Sequence, residues 1–172
     1  MYNFKYCSPL GEIMLESDGE VLTGLWFAQS SDSKKHKVGE NKNLPIFEQT
    51  IMWLDEYFSG KEPKFTPKYC IHNATPFQQE VLEVVSKIPY GKLMTYGDIA
   101  KQLASKRRIA RMSAQAVGGA VGWNPICIIV PCHRVVGAGK NLIGYGGGIE
   151  NKVALLKLEG IDTNSYKVPR RK

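Results

Sequence analysis

The chain has 172 residues, 43% of them hydrophobic, which is enough for one ordinary core or two small lobes of a soluble globular protein. No apolar run approaches the length of a membrane span, and the N-terminal MYNFKYCSPLG lacks the charged and apolar regions of a signal peptide, so a cytoplasmic protein with no membrane partner is expected. The net charge of +7 is concentrated: Ile99 to Ile149 contains no acidic residue but holds Lys101, Lys106, Arg107, Arg108, Arg111, Arg134 and Lys140, the whole excess.

Residues 2–7, 12–19 and 20–29 read as short strands, with Ser17, Asp18 and Gly19 as turn chemistry. Residues 31–45 read as a polar loop. Ile46, Phe47, Ile51, Leu54, Tyr57 and Phe58 then recur near helical spacing up to a stop at Gly60. These elements predict a small antiparallel sheet with one helix, an α/β lobe over residues 1–74.

A second domain is expected over 75–172, mainly α. It opens on Thr75-Pro76-Phe77-Gln78, where Thr75 is an N-cap, Pro76 the first helical residue and Gln78 the far side of a capping box. Two short helices follow as a helix-turn-helix, Tyr96 to about Ala104 and Ser113 to about Val121, joined by a basic connector. Ser113 is the N-cap of the second. Ala114, Ala116, Gly118, Gly119 and Ala120 make that helix slim, at a cost of roughly 1 kcal/mol for each glycine. A slim helix admits close approach, either of a neighbouring helix or of a nucleic-acid groove. The acid-free basic stretch is either a solvated face or the footprint of a polyanion, most simply nucleic acid.

The sequence IIVPCHRVVG, residues 128–137, reads as a buried strand ending in three reactive groups, Cys132, His133 and Arg134. A lone cysteine is often a structural thiol, but an adjacent histidine and basic surroundings favour thiolate, the nucleophilic form. Neighbouring strand residues point to opposite faces, so a proton would pass from Cys132 to His133 directly or through water. The orienting carboxylate must come from outside the acid-free stretch. Glu159 is the candidate, at the end of the amphipathic helix ENKVALLKLEG, where the helix dipole disfavours an anion. No cysteine pair has CxxC spacing, which argues against a structural zinc site or a disulfide scaffold, and no metal or cofactor is expected.

Taken in order, TPFQ, IPYGKLMTYGDIA, AVGGAVGWNPICIIVPCHRVVG, GYGGG and LLKLEG resemble the O6-alkylguanine-DNA alkyltransferases over about residues 75–160, most specifically through PCHRV. The resemblance implies a ribonuclease H-like N-terminal lobe and a winged-helix-like C-terminal domain. It also implies a monomer that flips O6-alkylguanine out of double-stranded DNA and keeps the alkyl group on its own cysteine, in a single turnover. O4-alkylthymine is left open as a second lesion.

By the same resemblance Cys132 is the acceptor, His133 a base acting through water, Glu159 its orienting acid, and Asn124 a brace for the turn before the cysteine. Tyr96 is implied to donate to guanine N3, the carbonyls of Cys132 and Val135 to accept from the exocyclic amine, and Tyr145 with the amide of Gly146 to approach O6. Arg134 is implied to be a structural and electrostatic support. Ser113, Ala114 and Gln115 would meet DNA on the second helix, and the basic residues Lys101, Lys106, Arg107, Arg108 and Arg111 are expected near phosphates on the strength of their charge. Gln115 stands where relatives usually carry an arginine that fills the gap left by the flipped base, and Arg111, one turn earlier if the helix extends so far, is the alternative. GYGGG lacks phosphate-loop spacing and reads as a flexible loop over the base or a plain turn. A turning-over thiol hydrolase built on Cys132, His133 and Glu159 is the rival reading. A lesion-binding protein without chemistry is a weaker one, because the cysteine is present.

Overall fold

The computed structural model describes Met1 to Pro169, which fall into two compact units: Met1–Asn73 together with Pro125–Ile129, and Ala74–Asn124 together with the residues from Val130 onward. The contiguous division at residue 74 expected from the sequence therefore omits one detail. Five residues just upstream of Cys132 pack with the first unit. Their backbone makes the link: Leu25 and Ile126 form a parallel bridge, with the amides of Leu25 and Cys127 bonded to the carbonyls of Pro125 and Leu25. Such pairing has no signature in side-chain pattern.

In the first unit β1 (Tyr2–Ser8), β2 (Gly11–Ser17) and β3 (Leu22–Phe27) form an antiparallel meander, and β4 (Glu40–Asn41) adds in parallel to β1, giving the order β3-β2-β1-β4. The buried face places Ile13 opposite Phe27 and Leu15 opposite Leu25. α1 (Pro45–Phe58) contributes buried Phe47, Trp53, Leu54 and Tyr57. The polar segment 31–45 is more ordered than its composition predicts. It forms a 3-10 turn at Ser31–Lys35 and then β4, whose two residues are both exposed and so carry no hydrophobic signal.

In the second unit α2 (Pro76–Ser86) starts with the complete capping box of Thr75 and Gln78. α3 (Tyr96–Lys106) and α4 (Ala114–Gly122) follow, and both α2 and α3 pack against α4 around Val81, Leu82, Val85, Ile99, Leu103, Val117 and Val121. A second capping box, Thr95 with Asp98, starts α3. Two strands too short to show a pattern, β5 (Met94–Thr95) and β6 (Val135–Val136), pair in parallel, Met94 with Val135 and Thr95 with Val136. α5 (Ile149–Leu158) closes the unit over a cluster of Val136, Leu142 and Leu156. No helix of the described residues is long and apolar enough to cross a membrane.

Candidate active site

Pairing of β5 with β6 positions the site. It sets the first residue of α3, Tyr96, beside the segment that leaves Cys132, His133 and Arg134. Those three residues are not the end of a strand, as their apolar approach predicts, but a 3-10 turn, Cys132–Arg134. Pro131 has no N–H to give a ladder, and its φ of −82° and ψ of 62° form an inverse γ-turn in which the amide of Cys132 bonds the carbonyl of Val130 at 2.8 Å. Upstream, Ile128 has φ +69°, a rare conformation for a β-branched residue, which costs about 1–3 kcal/mol. With three residues per turn, successive side chains lie about 120° apart and not on opposite faces.

Cys132 is 6% exposed and His133 fully buried. Nε2 of His133 lies 2.5 Å from Oε2 of Glu159, so a proton accepted from the thiol side must arrive at Nδ1. Glu159 is the C-cap of α5, the position where the helix dipole opposes an anion. Three donors offset that penalty: His133, the Nε of Arg134 at 2.7 Å and the amide of Gly91 at 3.0 Å. Burial pushes the Glu159 carboxyl up, but the bonds and charges of His133 and Arg134 outweigh it and bring the group to about 2. Complete burial holds His133 below its ordinary range against the opposite pull of Glu159. The resting state is therefore an ionised Glu159 paired with Arg134, and a neutral His133 donating to that carboxylate.

Arg134 is buried as well. Its Nη1 donates to the carbonyl of Ile88 at 2.7 Å and its guanidinium lies 5.7 Å from the ring centroid of Tyr90. Asn124, 2% exposed, donates from Nδ2 to the carbonyl of Val130 at 3.0 Å, bracing the chain just before the turn.

Tyr96 donates to the carbonyl of Ile143 at 3.1 Å, and burial, helped by the charge Cys132 carries when ionised, pushes its hydroxyl up to about 12, so it stays protonated. Of the two carbonyls considered for the exocyclic amine, that of Cys132 accepts the amide of Val135. That of Val135 accepts Nζ of Lys152 at 2.5 Å, leaving a second lone pair on each oxygen. Tyr145 and Gly146 lie on the loop between β6 and α5, and Gly144 on the same loop has φ +73°; a Cβ there would sit 3.0 Å from the Tyr96 hydroxyl. Lys152 was not singled out in the sequence, where it resembles any lysine of an amphipathic helix. Its only signal was a place in a helix that also carries Glu159.

A cavity of about 500 Å³ is lined by Tyr96, Gln115, Gly118, Gly137, Ile143 and Gly144, among others. The slim side of α4 meets two different surroundings along its length: a Cβ on Gly118 would meet the Tyr96 ring at 3.7 Å, whereas one on Gly119 would meet open space. Ser113 caps α4 by accepting from the amide of Ala116, and Ser113, Ala114 and Gln115 are exposed. α4 does not extend back to Arg111, as the alternative for the gap requires; the cap at Ser113 ends it, and Arg111 lines a different cavity with Ile109 and Met112. Arg108 is exposed with φ +54°. Arg107 is already committed, donating through Nε and Nη2 to Glu80 at 3.1 and 2.9 Å and lying over Phe77.

Residues 1–68 match the family model for the 6-O-methylguanine DNA methyltransferase ribonuclease-like domain, and residues 76–161 that for the DNA binding domain of the same proteins. The methylated-DNA–protein-cysteine methyltransferase of Haemophilus influenzae is 37% identical over 94% of this chain and 87% of its own length. That of Methanosarcina acetivorans is 40% identical over 93% and 99%. The crystal structure of Mycobacterium tuberculosis OGT in complex with DNA superposes with a TM-score of 0.80 at 39% identity, covering 92% of each chain.

Proposed function

This chain belongs to the 6-O-methylguanine DNA methyltransferase family, and from that premise we propose that Cys132 is the residue that takes the alkyl group in the repair of O6-alkylguanine in duplex DNA. One observation carries the assignment of residues: Cys132 heads a buried turn whose next residue is bonded to a buried, ionised glutamate.

The steps follow from that arrangement. The thiol proton passes, through a bridging water, to Nδ1 of neutral His133, and Glu159 steadies the imidazolium that forms. The thiolate attacks the alkyl carbon; a carbon–sulfur bond forms, the carbon–O6 bond breaks, and its electron pair moves onto the guanine. Tyr96, held protonated, donates to N3 of the departing base and stabilises the charge that collects there. It exchanges its bond to the Ile143 carbonyl for the substrate. No step in this mechanism regenerates the thiol from the thioether, so each molecule acts once.

A stacked base cannot reach a thiol that is 6% exposed, so the nucleotide must leave the duplex. The exposed start of α4 faces the duplex in this reading, and Gln115 takes the gap, since it shares a cavity wall with Tyr96 and Arg111 does not. A nucleophilic free thiol suits a reducing compartment, so the proposal places its action in the cytoplasm.

Intact mass after incubation with a duplex holding one O6-methylguanine tests it. The expected result is a single methyl gained per molecule, mapped to Cys132, with no further turnover. A methyl on Cys7, Cys70 or Cys127, or repeated turnover on an acyl substrate without mass gain, refutes it and favours the thiol hydrolase.

A further inference from the structure

Lys152 is fully buried on α5, and its acceptors are neutral: the carbonyls of Val135 at 2.5 Å and of Ile143 at 3.0 Å. Among the described residues no carboxylate forms an ion pair with it. The other basic group of the site, Arg134, has its charge matched by Glu159. A lysine ammonium is rarely taken out of water without a counter-charge, because desolvation costs several kcal/mol. The position of Lys152 indicates which anion it awaits. Val135 follows the Cys132–Arg134 turn directly and is tied to Cys132 by a bond from its amide to the Cys132 carbonyl, so the ammonium is bonded to the residue that closes the turn headed by Cys132. α5 packs on that same turn.

We propose that Lys152 is a positioning residue of the alkyl-transfer site, providing the fixed positive charge against which the Cys132 thiolate forms while clamping the Val135 carbonyl beside the Cys132 turn and the Ile143 carbonyl at the wall of the cavity that Tyr96 also lines. The clamp follows from Ile143 carbonyl geometry, since that oxygen receives both Nζ of Lys152 and the hydroxyl of Tyr96. The side chain thus couples the acceptor thiol to the group that faces the leaving base. Burial lowers Lys152 to about 8, and Cys132 when ionised opposes that shift. The other titratable or charged groups around the pair are Tyr96 from α3, His133 and Arg134 on the turn, and Glu159 at the end of α5.

The inference rests on the alkyl-transfer reading, in which Cys132 is the nucleophile, but its test uses no DNA, so the two can fail separately. Alkylation of Cys132 by iodoacetamide is followed against pH by peptide mass mapping, in the wild type, Lys152→Met and Lys152→Arg. Removing an opposite charge at this range raises the midpoint for Cys132 by about one unit or more in Lys152→Met, and the arginine restores it at least in part. An unchanged midpoint in folded Lys152→Met overturns the proposal. If Lys152→Met does not fold, the reciprocal effect is read in the wild type by NMR titration of the Lys152 side chain before and after Cys132 is capped with iodoacetamide. Loss of the thiolate lowers the lysine midpoint, and no change on capping overturns the proposal equally.

Discussion

The imidazole of His133 and the carboxylate of Glu159 meet at 2.5 Å although 26 residues separate them, and neither side chain is exposed. Glu159 also receives Arg134, so one carboxylate orients the base and neutralises the neighbouring cation. The two partners respond differently to mutation. His133→Ala is expected to slow methyl transfer in single-turnover assays by about 10²–10⁴-fold, the usual contribution of a general base, with binding to lesion DNA retained. Glu159→Ala leaves the Arg134 guanidinium buried without a counter-charge and is expected to cost about 3–5 kcal/mol in urea unfolding. A Glu159→Ala protein as stable as wild type would show that the pair with Arg134 contributes nothing.

The acid limb of stability belongs to Glu159. Its carboxyl is held near 2 in the folded protein, below the ordinary 4.5, so its contribution is complete above the ordinary value and is lost as the pH falls towards 2. Urea midpoints measured down this range should drop more steeply in wild type than in Glu159→Gln. The rate of transfer follows His133 instead. Held below its ordinary 6.5 by burial, it stays neutral and able to accept a proton through neutral pH, so the acid limb of the single-turnover rate is expected below 6.5. A limb at or above that value would contradict the neutral resting state.

Gln115 lines the cavity that Tyr96 also lines. Gln115→Ala is expected to slow transfer on duplex DNA roughly tenfold, a part of the few kcal/mol of unstacking, with little effect on free O6-alkylguanine or a single strand. Gln115→Arg, which adds a planar cation able to stack on or pair with the orphaned base, is expected to be neutral or faster on duplex. Equal slowing of Gln115→Ala on free base and duplex would assign the residue to the pocket and not to the flip.

Salt dependence separates the connector residues. Lys101, Lys106, Arg108 and Arg111 are exposed, whereas Arg107 is paired with Glu80. If those four neutralise phosphates, log K falls against log salt with a slope near about −3.6. Arg108→Ala is expected to make that slope shallower by about 0.9, and Arg107→Ala to leave it nearly unchanged. Fluorescence anisotropy of labelled duplex at several salt concentrations measures both, and a larger change for Arg107→Ala would show that the pair with Glu80 opens on DNA.

Local chemistry was legible in the residues themselves. The capping box at Thr75 and Gln78, the cap at Ser113 and the apolar face of α1 depend on groups within a few positions of one another, and the structure has each where its sequence signal lies. PCHRV with the upstream Asn124 carried the family for a similar reason: its chemistry is packed into a short run. The carboxylate partner was deduced from a broken local rule, an anion at a helix C-terminus, whose compensation by His133, Arg134 and Gly91 only the fold displays. Tertiary structure decided the rest. The apolar approach to Cys132 has the composition of a strand, but Pro131 and the positive φ of Ile128 bend it into turns, and only its packing makes that strain tolerable. The acid-free charge run is linear in sequence but not in space, because Glu80 and Glu159 fold back onto Arg107 and Arg134. Lys152 looks like a solvated lysine until its helix is turned inward, and a buried charge acquires its meaning only from the groups that tertiary packing sets around it.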